Sequence, residues 1–248
     1  MAEMTACEPG REAPPVAAVV LAGGGGRRLG GVHKPALTAG GRTLLDRVLH
    51  ALRGVRPVVV VGPTISTEVE VHWTREEPPL GGPVAALAAG LDRLAEIVSA
   101  AQNADDLIAA RPGRGTDDRA AAASAPGEDS AAGDSAGEVL LYAGDQAVLT
   151  ADTGDRLRAA LRARPAADGA VLVDETGRRQ WLISCWRVAA LRAALPARVH
   201  GASLRSVLGA LVVAEVTSRP GEAWDVDTPD DLRRLRTGTD PDTGPRPR

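Results

Sequence analysis

Phenylalanine is absent from this 248-residue sequence, tyrosine occurs once, and aromatic residues make up 2% of it. The interior must therefore be assembled from Val, Leu, Ala and Ile. The aromatic stacking platforms of single-strand nucleic-acid binders are largely excluded. Cysteine is nearly as scarce. Cys7 and Cys185 stand alone, the second inside an apolar run, which excludes a disulfide framework. No apolar run approaches the roughly 20 residues of a membrane span. The first residues carry Glu3, Glu8, Arg11 and Glu12 among small side chains and lack the charged-then-apolar order of a signal peptide. A basic surplus is missing too: the formal charge is −3, which argues against nucleic acid as a partner. The expectation is a soluble cytoplasmic protein without nucleic-acid or membrane partners. With 44% hydrophobic residues, the chain can bury a sizeable core in one or two domains.

What is present is an alternation of short elements. Residues 1–15 read as a flexible tail. Val16–Leu21 is a Val-rich run that stops at a glycine cluster, as a buried strand does. Leu44, Leu45, Val48, Leu49 and Leu52 have helical spacing within 43–52. Residues 57–61 read as a strand and 69–73 as another. Gly82 and Pro83 open a helix over 84–94. Residues 99–137 are Ala, Asp, Gly, Ser and Arg with Leu107 and Ile108 almost alone among large apolar side chains. Such a segment buries too little to offset ordering entropy, so the expectation is a disordered insertion at about 99–137. Strands follow at 139–143, 169–173, 181–186 and 211–216, with helices at 155–164, 188–195 and 204–208. Thr228, Pro229 and Asp231 open a last helix as cap, first-turn proline and capping acid. Residues 237–248 read as a second tail. The pattern implies an α/β, Rossmann-like three-layer fold with a mostly parallel sheet, a single domain over 16–236. Ligands of such sheets sit outside the carboxyl ends of the strands.

Each unusual motif follows a strand. Gly23-Gly24-Gly25-Gly26-Arg27-Arg28-Leu29-Gly30 comes after the first. Four glycines let backbone N–H groups turn toward an anion, and Arg27, Arg28 and Lys34 add positive charge. Neither common glycine fingerprint fits. The third position of G-x-G-x-x-G falls on Arg28 or Leu29, and a P-loop would need Lys where Gly31 stands. A flexible loop that binds nothing is the plain alternative. Asp145 lies just beyond the strand 139–143, where Asp is also a common turn residue. Asp225 and Asp227 alternate onto one face of an extended segment before the last helix, or are simply solvated there.

The order of these motifs resembles a known family. Leu21-Ala22-Gly23-Gly24, then Arg28-Leu29-Gly30 and Lys34-Pro35-Ala36-Leu37, resembles the signature of nucleotidyltransferases such as the molybdenum cofactor guanylyltransferases. Leu29 stands where that family usually has Met. The resemblance implies that Leu21, Ala22, Gly23, Gly24, Gly25 and Gly26 take a nucleoside triphosphate, and that Lys34 and Arg28 join Asp145 in the catalytic group. Gly24 tilts the base toward guanine, because the cytidylyltransferase branch tends to have Ala there. Gly144-Asp145 is similar to the family's Cys-Asp, implying an Mg²⁺ ligand that also meets the nucleotide. Asp225-Val226-Asp227-Thr228-Pro229 resembles the closing N-x-N-T-P motif and makes Asp227 a second metal ligand. Its two acids pull toward the cytidylyltransferase branch instead. Glu76-Glu77 and Gly82-Pro83 resemble the segment beside base and ribose, with Glu77 as the contacting acid. Arg178-Arg179-Gln180-Trp181-Leu182 resembles a segment near the pterin acceptor, which assigns Arg179 and Gln180 to acceptor binding and offers Arg178 and Arg179 as forks for the pterin phosphate, or as plain surface arginines after a glycine turn. Gln146 and Trp181 depart from the family pattern.

The activity implied is transfer of GMP from GTP to the phosphate of a molybdopterin-type cofactor, with Mg²⁺ as cofactor. The partners implied are GTP, the cofactor, and molybdoenzymes or cofactor-biosynthesis proteins. Such chemistry asks the protein mainly for positioning and charge. The sequence suits that demand, since His33, His50, His72 and His200 are scattered and form no evident triad with Ser or Cys. Three rivals stand beside it: a related transferase using CTP or another phosphorylated acceptor, a dinucleotide-dependent oxidoreductase, and a non-catalytic nucleotide-binding relative.

Overall fold

The computed structural model describes residues 16–23, 33–109 and 137–237. The elements run β1 (Val16–Leu21), a 3-10 turn Lys34–Ala36, β2 (Thr38–Ala39), β3 (Arg42–Thr43), α1 (Leu44–Ala51), β4 (Val58–Val61) and β5 (His72–Thr74). They continue with α2 (Pro83–Ala109), β6 (Glu138–Ala143), α3 (Ala151–Ala163), β7 (Gly169–Val173), β8 (Arg179–Arg187), α4 (Val188–Ala194), α5 (Leu204–Leu208), β9 (Val213–Thr217) and α6 (Pro229–Thr237).

Seven strands form one sheet in the order β5-β4-β1-β6-β8-β7-β9. Every pairing is parallel except those of β8 with β6 and β7, so β8 alone runs against the rest. Alternation along the central strands sorts their side chains onto two faces. Ala18, Val20, Val58, Val60, Leu140 and Tyr142 pack with Leu45, Val48, Leu157 and Leu161 of α1 and α3. Val19, Val59, Val61, Val139 and Leu141 pack with Leu87, Leu91, Leu191 and Leu208 of α2, α4 and α5. Three layers result, as the alternation of elements implies. Trp186 and Tyr142 are the largest fully buried side chains, and the rest of the core is aliphatic. Each fully buried Leu or Val contributes roughly 1.5–3 kcal/mol of apolar burial.

A third, smaller cluster fixes the site. Val226 and Leu232 pack with Ala39, Leu44 and Ala147, and with partly buried Leu37, Val148 and Trp224. It ties the segment before α6 to the β2–β3 hairpin and to the loop after β6, parts far apart in sequence. Val226 is fully buried. It anchors the segment that carries Asp225 and Asp227.

The structure moves several expected boundaries. The helix expected over 84–94 runs on to Ala109, so residues 99–109 of the expected disordered insertion are helical. Ala and Gln are good helix formers and offset the weaker Asn and Asp, which lets α2 outrun its buried face. Residues 110–136 lie outside the described residues, as do both tails apart from Thr237. The edge strand β5 sits one to three residues later than 69–73, and β8 begins at Arg179 rather than 181. α3 starts at Ala151 because Thr150 and Thr153 form a capping box, four residues before the expected start. The β2–β3 hairpin is an addition to the expected elements; Gly40 and Gly41, at φ 59° and 80°, make its turn. Among the described residues no helix is long and apolar enough to cross a membrane.

Candidate active site

The carboxyl ends of β4, β1 and β6 lie side by side and keep bonding one residue past the strands. Ala22 N–H donates to Val61 O at 2.8 Å, and Gly144 N–H to Leu21 O at 2.9 Å. The packing at two of these ends leaves little room for side chains. A Cβ on Gly62 would lie 2.7 Å from Ala22 C, and φ at Gly62 is 152°. A Cβ on Gly144 would come to 3.1 Å from Ala22 Cβ, a tight approach that asks its neighbour to give by a few tenths of an ångström. Between them Gly23 leaves the sheet as bare backbone. His33 returns the chain to the same spot, its Nε2 hydrogen-bonded to Ala22 O at 2.8 Å. Gly24, Gly25, Gly26 and Arg28 fall outside the described residues.

The 3-10 turn that follows buries Pro35 and sends Lys34 across the strand ends. Lys34 Nζ donates to Asp227 Oδ1 and lies 3.8 Å from Asp145 Oδ2. One ammonium thus holds two carboxylates from distant parts of the chain. Burial pushes the Asp145 carboxyl above its ordinary value. The positive charge of Lys34 opposes that rise, and the neighbouring Asp227 charge adds to it. Asp225 is likewise raised, by burial of its carboxyl and by the charges of Asp227 and Asp145. Crowded carboxylates with a single ammonium among them suit a site that receives further positive charge.

Two cavities meet at this point. The first, about 420 Å³, is lined by Leu21, Gly23, Lys34, Glu76, Gly82, Pro83, Asp145 and Leu182 among others. Of the expected pair of acids it is Glu76 that lines this cavity. Glu77 is exposed, while Glu76 Oε1 accepts the Leu80 N–H at 3.2 Å and faces inward. The second, about 360 Å³, is lined by Asp145, Gln146, Arg178, Arg179, Gln180, Trp181, Leu182 and Asp225 among others. Ala143, Asp145 and Leu182 belong to both. The structure thus groups Leu21, Gly23, Lys34, Gly82, Pro83, Asp145 and Asp227 on one side, and Arg179 and Gln180 on the other. Ala22 is buried beneath, its carbonyl engaged by His33.

Asp174 shapes the turn between β7 and β8. Its Oδ1 accepts from Thr176 N, Thr176 Oγ1 and Arg178 N at 2.9, 2.7 and 3.0 Å, and its Oδ2 from Gln180 Nε2 at 2.6 Å. Gln180 thus braces the turn as well as lining the cavity. A second brace holds the Asp225–Asp227 segment. Glu222 accepts from Thr153 Oγ1 at 2.5 Å and from Arg156, fastening the chain before Asp225 onto α3. Burial alone would push the Glu222 carboxyl up, but the bonds from Thr153, Arg156 and the Arg219 N–H, with the Arg156 charge, hold it below its ordinary value.

Sequence reasoning passes over Glu76 as the inward acid, Leu182 as the shared wall, and His33 as the anchor of the glycine loop. In the sequence Gln146 stands out only as a departure from the family. In the fold it pairs with Asp225 through a β-bridge and lines the second cavity.

The family model for the MobA-like NTP transferase domain matches residues 18–216. The chain belongs to this family of nucleotidyltransferases. Solved structures carry the same fold. A homologue of Mycobacterium tuberculosis Rv0371c from Mycobacterium sp. strain JC1 is 20% identical, with a TM-score of 0.62 over 92% of this chain and 98% of its own. Molybdopterin-guanine dinucleotide biosynthesis protein A from Archaeoglobus fulgidus is 16% identical, with a TM-score of 0.56 over 90% and 97%. The 2-C-methyl-D-erythritol 4-phosphate cytidylyltransferase from Thermus thermophilus is 20% identical, with a TM-score of 0.54 over 90% and 98%. No curated protein matches the chain by sequence. MobA-like membership makes the chain a transferase by family, and its mostly parallel sheet is that of these neighbours.

Proposed function

We propose that this MobA-like protein transfers GMP from GTP to the phosphate of a molybdopterin-type acceptor and releases pyrophosphate. The observation that carries the reading is the pair of cavities joined at Asp145, with Lys34 on one side and Arg179 and Gln180 on the other. A transferase that uses positioning and electrostatics needs this arrangement: two substrates, one charged seam, and no protein nucleophile.

In the reaction an acceptor phosphate oxygen bonds to the α-phosphorus of GTP, and the bond from that phosphorus to the bridging oxygen of pyrophosphate breaks. Gly23 and the glycine loop, with Lys34 and Arg28, hold the triphosphate. Gly82, Pro83 and Glu76 border the space for ribose and base. Asp145 and Asp227 would hold Mg²⁺, which supplies charge neutralisation to the phosphates when bound. The donor set fits that ion: two hard carboxylates already converge on one cation, and substrate phosphates complete such sites. Among the described residues no group of three His, Cys, Asp or Glu is arranged as a protein-only metal cage, which accords with a metal that arrives with the nucleotide. Lys34 exchanges its carboxylates for phosphate as the nucleotide enters. Arg179 and Gln180 orient the acceptor.

A CTP-dependent reading is favoured by one feature, the acids at both Asp225 and Asp227. Pyrophosphate release with Mg²⁺ and molybdopterin, compared for GTP, CTP, ATP and UTP, tests both. Release with GTP alone is expected. Release with CTP alone would transfer the assignment to the cytidylyltransferase side, and silence with all four from folded protein would refute the acceptor.

A further inference from the structure

Beyond the second cavity the space continues. A third hollow of about 720 Å³ is lined by Gly177, Arg178, Arg179, Trp181, Arg205 and Gly209, and shares Arg178, Arg179 and Trp181 with the acceptor cavity. The three spaces form a string from the nucleotide cavity through Asp145 to Arg205. We propose that Arg178 and Arg205, beside Trp181, form a distal subsite for a second anionic group of the acceptor, remote from the phosphate that reacts. The proposal rests on the acceptor reading of the second cavity.

Among the described residues part of the positive charge at this end has no ion-pair partner. Arg179 is already matched by Glu215, Nε to Oε1 at 2.8 Å, and lies over the Trp181 ring at 5.8 Å. Among the described residues Arg178 and Arg205 have no ion pair of that kind. They come from separate elements, the β7–β8 turn and α5, and converge on one hollow. The turn is also held in advance of any ligand. The Asp174 carboxylate takes the backbone N–H of Arg178, and Gly177 supplies the positive φ, 79°, that a tight turn needs. The backbone that carries Arg178 is thus fixed, and a guanidinium fork matches an oxyanion.

The neighbouring wall points to a ligand independently. Gln146 is 5% exposed and lines the acceptor cavity, and among the described residues its Oε1 has no hydrogen-bond partner. A buried amide end without a partner is costly, and a small rotation of the side chain would offer it to a ligand in the cavity. Acid seam, unpartnered amide and arginine pair thus lie in sequence along one channel. An acceptor with a single phosphate and no other charge would leave the far arginines unused.

Two measurements test the subsite. In the first, the KM for molybdopterin with GTP and Mg²⁺ is compared among the wild type, Arg178→Ala, Arg205→Ala and Arg205→Lys. Each alanine should raise it about tenfold, the loss of one charge-assisted contact, while the KM for GTP stays put and lysine restores part. An unchanged acceptor KM in the double alanine variant would overturn the proposal. The second uses inorganic phosphate as probe, read by ³¹P line broadening without metal. Broadening should persist in Lys34→Ala/Arg179→Ala, which disables the sites that take the two reacting phosphates, and disappear when Arg178→Ala and Arg205→Ala are added to it. Persistence there would overturn the subsite. Should the wild type not turn over molybdopterin, the proposed function falls, and the phosphate titration alone decides whether the arginines bind an anion.

Discussion

Along β5-β4-β1-β6 the strand ends present backbone. Gly23, Gly62 and Gly144 lie together, a Cβ at Gly62 would collide with Ala22 and one at Gly144 would crowd it, and Lys34 brings one charge from the returning loop. Along β8-β7-β9 the same edge of the sheet presents side chains. There Arg178, Arg179, Gln180 and Arg205 project from a braced turn and a five-residue helix. On the proposed reading the first construction takes the triphosphate, since backbone N–H groups suit phosphate whatever the base. The second can be altered one residue at a time without disturbing the sheet. A transferase that keeps its donor and changes its acceptor is well served by this division. Asp145, at the end of β6, is the boundary between them.

Variants break the comparison in order of effect. Asp145→Ala removes the seam and should lower kcat/KM for both substrates by at least about a thousandfold, with circular dichroism unchanged; preserved pyrophosphate release would detach Asp145 from the chemistry. Lys34→Ala should cost about a hundredfold in kcat/KM for the nucleotide and leave the acceptor KM alone. An equal rise in both constants would mean that the two cavities are not separate in function. Gly62→Ala should destabilise by about 3 kcal/mol, a clash added to an unfavourable φ, whereas Gly177→Ala, where a Cβ meets nothing, should cost about 1 kcal/mol. Urea denaturation of both variants compares the rigid backbone of one half with the open turn of the other.

Glu222→Gln should cost about 2 kcal/mol at neutral pH through its charge-assisted bonds. Because the folded state holds this carboxyl below its ordinary value, its contribution is present above the unfolded pKa and fades as pH falls through the folded one. The difference between wild type and variant should therefore shrink in acid, below the usual carboxylate range. A gap that stays constant with pH would mean that packing, not ionisation, sets the value.

The two halves also differ in what the sequence discloses. The backbone half is legible because the glycine cluster behind β1, Lys34 and Gly144-Asp145 all follow strand ends in the sequence. The side-chain half is legible only at Arg178, Arg179 and Gln180. Arg205 lies 26 residues on, in a helix whose sequence resembles any amphipathic turn, and nothing local ties it to Arg178. Glu76 and Glu77 are adjacent acids, and the turn closed by the Leu80 N–H selects the first, which spacing could not do. The third core cluster is hidden for the same reason: Val226 looks like one more small apolar residue until Ala39 and Ala147 are beside it. The length of α2 escapes because apolar periodicity marks where a helix is buried, not where it stops.

The most direct test of the central claim follows the transferred group itself. GTP carrying ¹⁸O on its α-phosphate would be incubated with Mg²⁺, molybdopterin and either wild-type or Asp145→Ala protein, and the products weighed by mass spectrometry. The account predicts a labelled GMP–acceptor adduct and pyrophosphate in equal amounts from the wild type, and neither from the variant. Pyrophosphate without adduct, or an adduct formed equally well by Asp145→Ala, would contradict a single two-substrate site joined at that residue.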